Sequence, residues 1–315
     1  MTRVLVTGAS GFIGRALCDT LSARGMSVRA AVRRPSSMTG DVRMVGEIGP
    51  DTEWRRALHG MDAVVHLAAR VHVMRDAAAD PLAAFRAVNV AGTERLAREC
   101  AGSQVRRLVF VSSIKVNGER TLGRPFSEAD PPAPEDAYGV SKLEAEQALQ
   151  RVAAATGLEA VIVRPCLVYG PGVRGNLGRL LAMIERGVPL PLASVNNRRS
   201  LIGLTNLCDL LAPCVTHPAA AGETWLASDG EDLSTPELIR ALAAGAGRTA
   251  RLVPFPPRWL ELAARLAGAR GAYDRVCGSL QADSSKARRS LDWRPPLSAM
   301  EGLRLTGAWH QGRAR

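Results

Sequence analysis

One hydrophobic rhythm runs through the first half of the chain. An apolar run at residues 4–6 leads into a glycine-rich turn and then into residues 12–24, where Ile13, Leu17 and Leu21 recur at helical spacing. Further short apolar runs lie at 28–32, 42–45, 63–67, 107–112 and 159–163, and helical patterns at 51–58, 81–100 and 138–155 separate most of them. Runs that are apolar throughout, without alternation, suit strands buried on both faces. Strands that alternate with helices predict a parallel sheet covered on both sides: an α/β, doubly wound fold of the Rossmann kind.

After Arg164-Pro165 the texture changes, and Gly170-Pro171-Gly172, Gly175 and Pro189-Leu190-Pro191 punctuate shorter elements. A second, smaller region is expected to start here. Within it, Ser234-Thr235-Pro236-Glu237 reads as a helix start with a capping box. Residues 258–269 form a basic amphipathic segment, which could lie on a membrane but is expected to cover its own core.

Composition adds limits. With 315 residues, 46% hydrophobic and 23% charged, the chain is long enough for a substantial core and has the make-up of a globular protein. A formal charge of +11 raises the question of a polyanionic partner. The basic pairs Arg33-Arg34, Arg106-Arg107, Arg198-Arg199 and Arg288-Arg289 are dispersed, however, and aromatic residues make up only 4%, so no platform for nucleic acid is expected. An anionic small ligand fits the same charge. The six cysteines stand singly, with no histidine at ligand spacing, and no metal site is expected. The first apolar run is too short for a signal peptide, and no stretch of about 18 apolar residues follows. A cytoplasmic protein without an integral membrane segment is therefore expected.

Three motifs carry chemistry. Gly8-Ala9-Ser10-Gly11-Phe12-Ile13-Gly14 follows the first strand and opens a helix, where glycines allow a tight turn and close approach to a pyrophosphate held at free backbone amides. The second strand ends in Ala31-Val32-Arg33-Arg34-Pro35, with no acid to meet a ribose 2′-hydroxyl. A guanidinium there can pair with a 2′-phosphate, which favours NADP(H), with NAD(H) as the alternative. Tyr138 and Lys142, spaced i and i+4, share one helix face, so the ammonium is expected to lower the phenol pKa and make it a proton donor and acceptor. Ser112 and Ser113 end a buried strand at the side of the sheet where ligands bind.

These residues resemble the extended short-chain dehydrogenase/reductases, in the branch of NAD(P)-dependent nucleotide-sugar epimerases, dehydratases and reductases. Thr7-Gly8-x-x-Gly11-x-x-Gly14, His66-Leu67-Ala68-Ala69, Asn89-Val90-Ala91-Gly92-Thr93, Ser112-Ser113, Tyr138-x-x-x-Lys142, Arg164-Pro165 and Val168-Tyr169-Gly170-Pro171 spread the resemblance over nearly the whole chain. One departure is Asn117 before Gly118, where many members have tyrosine; the arginine after the second strand is another.

The resemblance implies roles residue by residue. Ser113, Tyr138 and Lys142 would be catalytic. Gly8, Ser10, Gly11, Phe12, Ile13, Gly14, Arg33, Arg34, Glu47, Ile48, Leu67, Ala68, Ala69, Asn89, Ser112, Tyr138, Lys142, Pro165 and Val168 would bind the cofactor. Ser113, Tyr138, Asn176, Arg199 and Arg275 would bind a UDP-sugar. It further implies an NADP-binding Rossmann domain over residues 1–165, with a return at about 199–216, a nucleotide-sugar domain over 166–198 and 217–315, and a homodimer. The expected activity is NADP-dependent oxidoreduction at C4 of a UDP-sugar. A 4-keto reductase making a UDP-6-deoxy-N-acetylhexosamine for surface polysaccharide (lipopolysaccharide) is preferred, and a UDP-glucose or UDP-N-acetylglucosamine 4-epimerase with bound NAD is the alternative. A non-catalytic NADP-sensing protein on the same fold is a third reading, against which the retained Tyr138 and Lys142 argue.

Overall fold

The computed structural model describes residues 1–71 and 80–313. Its first part follows the alternation β1 (Arg3–Thr7), α1 (Phe12–Ala23), β2 (Ser27–Val32), β3 (Asp41–Met44), α2 (Arg55–Leu58), β4 (Ala63–His66). Then come α3 (Pro81–Phe85), a π-helical stretch (Arg86–Ala91), α4 (Gly92–Ala101), β5 (Arg107–Val111), a 3-10 turn (Ile114–Val116), α5 (Ala137–Thr156) and β6 (Glu159–Pro165). Beyond them lie β7 (Leu167–Tyr169), α6 (Gly175–Glu185), β8 (Arg199–Gly203), α7 (Leu204–Thr216), β9 (Thr224–Ala227) and β10 (Asp232–Leu233). The chain closes with α8 (Thr235–Gly245), α9 (Pro257–Leu266), α10 (Arg270–Cys277), α11 (Ser285–Ser290) and α12 (Ala299–Arg313).

Among the described residues the main sheet has seven strands in the order β3-β2-β1-β4-β5-β6-β9, every neighbouring pair parallel. Strand order reverses between β1 and β4, so a crevice opens beyond their carboxyl ends, the usual ligand position in such sheets. The uninterrupted apolar runs follow from burial on both faces: β4 and β5 have no exposed residue. One face packs against α1 and α7 through Leu17, Leu21, Leu207 and Leu211; the other packs against α2, α4 and α5 through Leu58, Leu96 and Leu149. Helix α1 buries Gly14, Leu17, Cys18 and Leu21, one stripe at helical spacing. Gly157, at φ +77°, ends the long α5 in the left-handed conformation that glycine adopts without strain.

A three-stranded sheet, β10-β8-β7, sits beside the main one, with α6, α8 and α12 around a second core. Strand β8 alternates between the two cores, Leu201 facing the small one and Ile202 the large one. The expected return over 199–216 is therefore split. Arg199–Gly203 belongs to the small sheet, and only α7 lies on the main sheet, against α1. Strand β9, read as part of the second region, is instead the seventh strand of the main sheet beside β6. Its four residues are too few for periodicity to assign.

The capping box at Ser234 and Glu237 is present. The expectation that residues 258–269 cover a core is not met: α9 has no buried residue. No described helix is long and apolar enough to cross a membrane.

Candidate active site

At the end of β1 the chain turns through Gly8, at φ +66°, and Gly11 N–H donates to Gly8 O at 2.9 Å. A Cβ on Gly14 would lie 2.2 Å from Gly8 O and 2.7 Å from Ala9 Cα, and one on Gly8 would lie 2.9 Å from Ala68 N. The glycines thus let the turn close on itself and against the chain leaving β4. Among the described residues no side chain caps α1, whose N-cap is Gly11, and an exposed Ser10 and half-buried Phe12 and Ile13 flank its leading amides. An uncapped helix start behind a glycine cradle fits a pyrophosphate.

Thr7 ties this loop to the next one. Its Oγ1 accepts from Leu67 N and Ala68 N, both at 3.2 Å, and hydrogen-bonds His66 Nδ1 at 2.7 Å. His66 Nε2 reaches Thr93 Oγ1 at 3.2 Å and the ring stacks on Phe110. Burial, then the Lys142 charge, pushes its pKa down to about 3, so the ring is neutral. Ala69 is half-buried in the same segment. Asn89, buried in the π-helical stretch, accepts from Arg70 N at 2.8 Å, donates to Arg70 O at 3.0 Å and to Ser141 Oγ at 2.9 Å, joining the loop after β4 to α5.

Arg33 and Arg34 follow β2 and are 61% and 75% exposed at their side chains. Both reach the exposed Glu47, at 3.4 and 3.5 Å. Ile48 packs in the opposite direction, against α4, where a Cβ on Gly92 would meet its Cγ2 at 2.6 Å.

The carboxyl end of β5 meets α5. Lys142 is 2% exposed, donates from Nζ to Val111 O at 2.7 Å and lies 4.0 Å from the centre of the Phe110 ring. Ser112 follows, its Oγ buried and without a hydrogen-bond partner among the described residues, an uncommon state for a buried hydroxyl. Ser113 Oγ accepts from Lys115 N at 3.2 Å and caps the 3-10 turn. One turn before Lys142, Tyr138 stands edge-on to Phe85.

Electrostatics here correct one expectation. Lys142 does not pull the Tyr138 pKa down; burial, and after it the Asp136 carboxylate, push it up to about 12. Lys142 is itself driven down to about 7 by burial, against the pull of Glu146. Sharing a helix face was not enough, because the ammonium is committed to a carbonyl and an aromatic ring while both groups lose water.

Sequence reasoning missed the cluster that holds this helix. Asp136 caps α5, accepting from Gly139 N at 2.6 Å, and takes Lys115 Nζ at 2.6 Å; Lys115 also meets Glu119 at 2.6 Å. An Asp two residues before the tyrosine, three before a glycine amide, was the available signal. Arg164 pairs with Glu146, at 3.0 and 2.6 Å, and donates to Asn117 Oδ1 at 3.0 Å, which gives the departure at Asn117 a local reason.

The second-half residues are spread out. Pro165 ends β6, buried opposite Ala227 of β9, and Val168 lies in β7, packed against the core under the main sheet. Arg199 donates to Gly278 O at 2.9 Å; burial lowers its pKa while Cys166 and Glu119 act in opposition. Asn176, on the first turn of α6, and Arg275, on α10, are exposed.

Comparison with known proteins gives a consistent picture. A model of the NAD dependent epimerase/dehydratase family matches residues 4–226. A Vibrio cholerae protein named UDP-glucose 4-epimerase is 43% identical over 307 residues, covering 96% of this chain and 94% of its own. The structure of MoeE5 with UDP-glucuronic acid and NAD has 26% identity and a TM-score of 0.80, covering 99% of this chain and all of its own length (100%). A Bacillus cereus UDP-glucuronic acid 4-epimerase in complex with NAD, at 22% identity and a TM-score of 0.80 over 98% of this chain and 96% of that one, shares the fold.

Proposed function

This chain belongs to the NAD dependent epimerase/dehydratase family, and from that premise we propose that it catalyses oxidoreduction at C4 of a UDP-sugar, run overall as 4-epimerisation. The observation that carries the reading is Tyr138 and Lys142 one turn apart on α5, with Lys142 bound to the serine-bearing end of β5. The substrate assignment draws on the Vibrio cholerae relative named for that reaction.

The glycine cradle, Leu67 to Ala69, Asn89 and Ser112 would hold a nicotinamide dinucleotide, which supplies hydride acceptance and return when bound. In its ionised form Tyr138 takes the proton of the C4 hydroxyl as that carbon is oxidised, and the phenol so formed gives it back to the 4-keto oxygen in the return half; with a pKa pushed up to about 12, that ionised fraction grows as pH rises. Ser113 hydrogen-bonds the same oxygen as charge develops on it. Lys142, fixed at the carboxyl end of β5, sets the tyrosine's surroundings. Arg199 on β8, Asn176 on α6 and Arg275 on α10 would meet the diphosphate of the sugar nucleotide.

A second reading, net 4-keto reduction with NADPH, is favoured by one observation. No carboxylate follows β2 where Arg33 and Arg34 stand, so a 2′-phosphate would meet guanidinium groups there. Proton NMR of UDP-glucose, UDP-N-acetylglucosamine and their 4-keto-6-deoxy derivatives incubated with the enzyme separates the readings: epimers appearing with no change in cofactor absorbance support epimerisation, and stoichiometric NADPH oxidation supports reduction. Inertness toward every one of these would refute both. Arg33→Ala should weaken NADPH about tenfold to a hundredfold while sparing NADH; an equal loss for both would remove the 2′-phosphate role.

A further inference from the structure

We propose that α9 docks this protein on an anionic lipid surface, its Trp259, Leu262 and Leu266 entering the interface while Arg258 and Arg265 lie at the headgroups. The helix itself contains none of the residues behind the catalytic reading.

Trp259, Leu262 and Leu266 occupy positions i, i+3 and i+7 of the helix and so form one stripe. They are 52%, 45% and 83% exposed. Val253 and Phe255, in the segment leading into α9, are exposed as well, so five of the 14 large exposed apolar side chains among the described residues fall within residues 253–266. Scattered single apolar side chains are ordinary on a surface, whereas a concentrated patch marks a binding face.

The charge around the stripe selects the occupant. Residues 248–277 carry six arginines against two carboxylates, Glu261 and Asp274. Those two are engaged with Arg265 and Arg270. Arg258 and Arg265 lie along one margin of the stripe and, with Trp259, Glu261 and Leu262, line one open groove. An apolar stripe with tryptophan beside a basic margin is the pattern of a helix lying in a membrane interface. Two copies of the chain meeting across this face would bring arginine margins together, which disfavours self-association. The helix has 10 residues, far too short to span a bilayer, so the contact is peripheral.

Co-sedimentation of the full chain with vesicles of phosphatidylglycerol and phosphatidylcholine, against vesicles of phosphatidylcholine alone, tests this. Binding is expected to the anionic vesicles and to weaken strongly between 0.05 and 0.5 M salt on general screening grounds (Debye length roughly 10 Å at 0.1 M). Leu266→Glu, at a position too exposed to support the fold, should weaken binding about tenfold or more, and Arg258→Glu with Arg265→Glu should abolish it, with dinucleotide affinity unchanged in both. Absence of binding, equal binding to neutral vesicles, or binding that neither variant alters would overturn the proposal. A change of molar mass in light scattering on Leu266→Glu would overturn it too, in favour of contact between copies.

Discussion

Tyr138 and Lys142 are one helical turn apart, yet burial governs each more than the other's charge does. The group that acts on the phenol is Asp136, which also caps the helix. Asp136→Asn keeps a capping side chain and removes the charge, so the tyrosine pKa should fall, and the ascending limb of the oxidative pH–rate profile should move toward acid by about one pH unit. An unmoved limb would assign the limb to another group. His66 gives a stability prediction. Its pKa is lowered from 6.5 to about 3 by burial, so the unfolded chain binds the proton first and the His66 contribution is present above pH 6.5 and lost as pH falls toward 3. At pH 5 the loss is about 2 kcal/mol, and urea unfolding of the wild type against His66→Gln should show the wild type losing that much more between pH 7 and pH 5.

At the scale of elements, the sheet was legible because strands buried on both faces write uninterrupted apolar runs and the helices between them write a 3.6-residue period. The glycine loop was legible because its requirement is steric. Gly14→Ala places a methyl group 2.2 Å from Gly8 O, a backbone atom that cannot yield without moving the loop. About 1–3 kcal/mol of stability should be lost, as in overpacking, together with most dinucleotide affinity, measurable by denaturant unfolding and by quenching of intrinsic fluorescence. Retained affinity would show that the loop is not the pyrophosphate cradle. What the sequence hid has physical reasons too. The four residues of β9 carry no usable period, and an amphipathic pattern such as that of α9 reports a face without reporting what covers it. Ion pairs such as Lys115 with Asp136, 21 residues apart, leave no local trace.

On the scale of the whole molecule, the two sheets are coupled through buried polar groups. Tyr169 of β7 donates to Asp229 at 2.7 Å, and Asp229 also accepts from Asn206 at 2.7 Å and from Gly203 N. Arg164, at the end of β6, is held by Glu146 of α5, so the helix that presents Tyr138 and Lys142 is fixed to the strand from which the small sheet departs. The glycine cradle and the Tyr138 helix thus both stand at the carboxyl ends of the main sheet, where the strand order leaves a crevice. The central claim is that Tyr138 moves the proton at C4 within it. Turnover of a UDP-sugar identified by the NMR panel, compared between wild type and Tyr138→Phe, tests this most directly. The ring is kept and only the ionisable hydroxyl is removed, so kcat should fall by about 10² to 10⁴ with dinucleotide binding retained; turnover within a few-fold of wild type would contradict the account.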